Sequence, residues 1–157
     1  MHKIYVGDSI DISSRINKRH CSGNVKTSVF REHIAERLKF PIKREPRLSR
    51  YGNLYTDVYI DLPDRRNAEK QISAYVAEGR WKFVECSSKD EARDFQYYAI
   101  KKIEPIFNVK RPTWDVSKEK RYVELFKQLM DCPWHTKSDK NFPDTPGVYF
   151  YGNTRLP

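Results

Sequence analysis

The chain has 157 residues, 38% hydrophobic and 32% charged, enough for one domain with a modest core and too few for two well-buried ones. No apolar run approaches the ~20 residues that span a bilayer, and MHKIYVGDSI lacks the apolar stretch of a signal peptide, so a cytoplasmic protein without a membrane partner is expected. Thirty Lys and Arg against 21 acids leave a net charge of +9, a balance that suits a polyanion partner, most simply nucleic acid, and equally a solvated basic surface. Cys21, Cys86 and Cys132 are odd in number and far apart, which argues against a disulfide framework. No paired CxxC supports a zinc site from Cys132 with His135 or Cys21 with His20.

Ile4 and Val6 alternate with Tyr5, the pattern of a strand ending at Gly7. Ile12 and Ile16 then place a helix over about 9–20, and a turn follows at Gly23 and Asn24. SVFREHIAERL is an amphipathic helix, with Phe30, Ile34 and Leu38 on one face and Pro41 beyond it. KREPRLSRYGN is basic and turn-rich and reads as a loop or irregular arm. LYTDVYIDL has the period of a strand. Asp64 caps a helix through Ala68, Ile72 and Val76 that Gly79 closes. WKFVEC is a short strand, and Ser88 with Glu91 forms a capping box for a helix bearing Ala92, Phe95, Ala99 and Ile103, which Pro105 ends. After a KRPTW linker, Ser117 opens a helix with Tyr122, Leu125, Phe126 and Leu129 inward; a loop leads to a last strand, GVYFYG. The expected fold class is α+β, one domain with a small antiparallel sheet flanked by about five helices.

Read from the end back to the start, PGVYFYGNTRLP followed by HKIYVGDSIDISSRI resembles the opening of GIY-YIG nuclease domains, a hairpin carrying G-[IV]-Y and Y-[IV]-G and then a helix with an arginine eight residues on. Gly147-Val148-Tyr149 is similar to the first element, Tyr5-Val6-Gly7 to the second, and Arg15 stands at the arginine position. TSVFREHIAERL and the run from Ala68 to Asn108, closing on Pro105-Ile106-Phe107-Asn108, resemble later parts of one branch of that family. The order differs, since the first strand is at the C-terminus. Circular permutation accounts for this: the cut falls in an exposed hairpin turn, and residues 109–143, with a helix of roughly 21 Å, connect the old ends. Pairing of that strand with a neighbouring chain, giving a swapped homodimer, is the rival arrangement, and an unrelated strand a third.

The resemblance implies a metal-dependent endonuclease acting on DNA. Tyr5 and Tyr149 would flank the attacking water, Arg15 would clamp the phosphate with its planar fork, and a carboxylate on the last helix would hold one Mg or Mn ion. Family members often carry His or Tyr four residues after the arginine; here Arg19 is at that place and His20 follows it, one position out of register. The glutamate expected twelve residues before Asn108 is Gln96, which offers a cation one carbonyl oxygen in place of a carboxylate. Weak metal binding and little cleavage are expected, whether the substitution is natural or introduced. Asp94 is about 200° around the helix from position 96, Glu91 is engaged in the capping box, and Asp8 is the best alternative ligand. DNA contacts are expected from Lys18, Arg19, Lys26, Thr27 and Ser28, and from the arm residues Lys43, Arg44, Arg47 and Arg50, with Tyr51 and Tyr55 stacking on bases. The rival functions are a non-catalytic DNA- or RNA-binding module on the same fold and a basic interaction domain whose tyrosines are core residues.

Overall fold

The structure is a computed structural model that describes residues 1–108, 113–139 and 141–157. The chain is α+β. Three strands form one antiparallel sheet in the order β1 (His2–Ser9), β5 (Gly147–Asn153), β4 (Arg80–Glu85), so the last strand is the central one. It pairs with β1 of the same chain, Gly7 opposite Tyr149 and Val6 opposite Phe150, and with β4 on its other side. All seven residues of β5 are buried. Because side chains alternate across a strand, Tyr149 and Tyr151 join the larger core under α2 (Val29–Arg37) and α3 (Arg65–Glu78). Val148 and Phe150 join a second core under α4 (Lys89–Ile103) and α5 (Glu119–Asp131).

Both edges of this sheet are partly covered by other segments of the chain. Along β1, Ile106 and Phe107 donate to the carbonyls of Lys3 and Ile4 at 3.0 Å each, and the Asn108 amide pairs with both polar groups of the Val6 backbone, at 2.7 and 2.9 Å. Along β4, Trp81 and His135 exchange backbone hydrogen bonds at 2.8 Å. The described part of the 109–143 connector therefore runs from α4 through α5 back to the sheet. Its residues 109–112 and 140 lie outside the described residues, as do the first three residues of the KRPTW linker.

The expected caps of α3 form, Asp64 accepting from Asn67 N at 3.0 Å and Gly79 closing the helix. Ser88 caps α4, but Glu91 reaches back to Ser87 rather than to Ser88. Asp115, not Ser117, starts the connector helix, through a 3-10 turn Val116–Lys118 that leads into α5.

Two expectations are corrected. KREPRLSRYGN is not a loop: Ile42–Leu48 is a strand, β2, paired antiparallel with β3 (Leu54–Ile60) in a separate hairpin turned at Ser49–Asn53, where Gly52 has φ +80°. Most of β2 is exposed on both faces, so no alternation marks it in the sequence. Pro46, which has no N–H to give, is tolerated in a sheet of only two strands. The helix over about 9–20 is a single α-turn, α1 (Ile12–Ser14), running into a π-helical segment Arg15–Cys21, with Ser22 N donating to Asn17 O at 3.2 Å. Gly23 lets the chain leave this segment, because a Cβ there would lie 2.2 Å from the Arg19 carbonyl oxygen. No helix among the described residues is long and apolar enough to cross a membrane.

Candidate functional site

A cavity of about 320 Å³ opens where β1, β5, the π-helical segment and the start of α2 meet; Tyr5, Asp8, Arg15, His20, Ser28 and Tyr149 line it. Tyr5 and Tyr149 point to the same face of the sheet, with ring centroids 6.2 Å apart. Gly7, opposite Tyr149, makes room for that ring: a Cβ at position 7 would stand 2.3 Å from the Tyr149 hydroxyl.

The π-helical segment sets which way His20 points. In a helix whose hydrogen bonds run i to i+5, the residue five positions after Arg15 returns to the same side. His20 is accordingly buried beside Arg15 in the cavity, and Arg19 is exposed. His20 Nε2 is 2.7 Å from the Tyr149 hydroxyl and Nδ1 is 2.7 Å from Ser28 Oγ, which in turn accepts from Arg31 N at 3.2 Å as the cap of α2. The imidazole lies parallel to the Trp81 ring, 5.8 Å away.

Burial sets the protonation states. It pushes His20 down to about 3, with the Arg15 and Arg31 charges acting in the same direction, so the ring is neutral at physiological pH. Burial raises the Tyr5 and Tyr149 phenols, which stay protonated. The Asp8 carboxyl is raised by burial, opposed by Arg93 and Arg15.

Arg15 is half-buried in the wall and makes no hydrogen bond or close ion pair among the described residues, although its charge acts on Asp8 across the cavity. Arg31 contrasts with it. Fully buried, it donates to the carbonyls of His20 at 2.8 Å and Glu69 at 2.9 Å and pairs with the Glu69 carboxylate at 2.7 Å. Sequence reading passed over Arg31, although its spacing of three and four to Ile34 and Ala35 puts it in the apolar stripe of α2.

Gln96 and Asn108 sit outside the cavity lining. Gln96 Nε2 donates to the Val6 carbonyl at 3.2 Å, the same oxygen that Asn108 Nδ2 binds. Both amides fix the strand that carries Tyr5. The residues here do not fit a divalent ion. Gln96 has only one oxygen to give, Arg93, Arg15 and Lys89 compete for Asp8, and Glu32, which also lines the cavity, pairs with Arg44. Among the described residues no three His, Cys, Asp or Glu side chains come together to hold a metal. Asp94 is turned away, as the helical angle predicts, and binds the Tyr122 hydroxyl and Asp115 N.

The expected basic contacts divide into two groups. Lys18 and Arg19 are exposed and without acid partners among the described residues. The arm cations are mostly spent within the protein. Lys43 pairs with Glu45, Arg44 with Glu32 and Glu36, and Arg47 with Glu45 and Asp57. Arg50 lies over the Tyr51 ring at the hairpin tip. Lys26 bridges to Asp57 at 3.3 Å and lies over Tyr55, Thr27 bonds to Asn24, and Ser28 serves His20 and the helix cap. No family model, no curated protein and no solved structure matches this chain.

Proposed function

We propose that this chain is a circularly permuted GIY-YIG-like domain that binds DNA phosphodiesters in the Tyr5–Arg15–Tyr149 cavity, a nuclease-type site impaired at Gln96. The observation that carries this reading is a guanidinium without a hydrogen bond or close ion pair among the described residues, Arg15, lining one cavity with two protonated phenols from the paired chain ends. A planar guanidinium fork near the Tyr5 phenol suits a phosphate oxygen pair. His20 holds Tyr149 in place and is too weak a base to keep a proton taken from water. With no fitting metal site and no strong base, binding without efficient cutting is the expected behaviour of the chain with Gln96.

The test pairs binding with cleavage. Fluorescein-labelled DNA is expected to bind in a salt-dependent manner, to lose that binding with Arg15→Ala, and to remain intact in Mg or Mn. Gln96→Glu under the same conditions is expected to nick it. Arg15-dependent binding with no cleavage by Gln96→Glu across single-stranded, duplex and branched DNA assigns a non-catalytic binding module on this fold. Binding indifferent to Arg15 removes the reading altogether.

A further inference from the structure

A second cavity, about 390 Å³, lies between the β2–β3 hairpin, the 23–26 loop and the first turn of α3. It shares Val25, Lys26 and Val58 with the first, so the two cavities adjoin as lobes on either side of these residues. Each lobe falls within the ~300–1,000 Å³ of small-ligand sites. Its acids are already neutralised, Asp57 by Lys26 and Arg47, and Glu69 by Arg31. Its free cations are Arg65 and Arg66. The Arg65 guanidinium lies 4.2 Å over the centre of the Tyr59 ring, which holds it in place without using its N–H groups. Arg66 has no acid partner among the described residues.

Resting on the reading of the first lobe as a phosphodiester site, we infer that the two lobes form a groove that takes a single nucleic-acid strand. One phosphate sits on Arg15 and a neighbouring one on Arg65 and Arg66, with Lys26 between them. A single strand is the occupant because the cations line lobes walled by the hairpin and the loop, with Arg65 held there on the Tyr59 ring, rather than being spread over an open face. Both arginines follow directly on Asp64, and nothing in the sequence joins them to Arg15; only the shared cavity wall does.

The experiment is fluorescence anisotropy with a labelled ten-residue oligothymidylate over a salt series. Arg65→Gln/Arg66→Gln is compared with Arg15→Ala and with Lys101→Gln/Lys102→Gln, an equal charge change on α4 away from the groove. The paired groove variant is expected to bind at least tenfold more weakly at low salt, and to flatten the slope of log affinity against log salt by about 1.4, two contacts at ~0.7 each. The α4 pair should change neither. If Arg15→Ala weakens binding while the groove pair behaves like the α4 pair, the second subsite is wrong and the first stands. If neither Arg15 nor the groove pair matters, both are wrong; if the oligothymidylate does not bind while duplex DNA binds through Arg15, the groove is wrong and the first reading stands. Tighter binding of a duplex of the same length through the same arginines overturns the single-strand assignment.

Discussion

A chain ending at Pro146 is expected not to fold cooperatively. Residues 147–153 are the central strand, hydrogen-bonded to β1 and β4 and fully buried. Removing them takes Tyr149 and Tyr151 from one core and Val148 and Phe150 from the other. At ~1.5–3 kcal/mol for each buried side chain of this kind, four amount to roughly 6–12 kcal/mol. The whole net stability of a domain is ~5–15 kcal/mol, before counting the ladder bonds lost on both sides. Circular dichroism melts and amide proton dispersion check this: the truncated chain should show no sigmoidal transition and collapsed dispersion. A cooperative melt with native-like dispersion would mean that β1 and β4 find another way to close the sheet.

Stability is expected to fall as pH is lowered from about 6.5 toward 3 because of His20. The folded chain keeps this imidazole neutral, whereas the unfolded chain protonates it near 6.5. In that window the unfolded state binds the extra proton, so acid favours unfolding by about 1.4 kcal/mol per pH unit. Asp8, raised by burial, works in the opposite direction, because its folded state takes up a proton first. Comparison with His20→Gln isolates the histidine. Urea unfolding at pH 7 and pH 5 should show the unaltered chain losing roughly 2 kcal/mol more between the two than the variant does. Equal losses would mean that the imidazole is charged within the fold, and the His20–Tyr149 bond would then have to be recast.

Much of the fold was legible because the elements that build it are amphipathic. The strand at Ile4–Val6, the helices led by Phe30, Ile72 and Phe95, and the caps at Asp64 and Ser88 each have a local physical cause that a sequence displays. The adjacency of the two chain ends was legible only through the resemblance of Gly147-Val148-Tyr149, Tyr5-Val6-Gly7 and Arg15 to a known nuclease hairpin, since no local property of GVYFYG says which strand it will join. β2 was missed because a strand exposed on both faces has no reason to alternate. The π-helical segment was missed because the extra residue per turn leaves the apolar spacing of Ile12 and Ile16 intact while moving His20 into the cavity. The internal pairing of the basic arm was not legible for a different reason. Sequence shows that Lys43, Arg44 and Arg47 are cations, but not that acids from α2 and the hairpin strands reach them. Arg65 and Arg66, which look like ordinary surface charge, have no acid partner among the described residues.

The most direct test of the central claim, that the two ends of the chain and Arg15 build one phosphate-binding cavity, is a titration followed by NMR. Arginine Nε–Hε and tyrosine ring signals are recorded as the ten-residue oligothymidylate is added. The predicted result is a saturable shift of Arg15 Hε together with the Tyr5 ring, both giving one dissociation constant. Binding that moves the hairpin-tip signals of Arg50 and Tyr51 while Arg15 and Tyr5 stay still would contradict it.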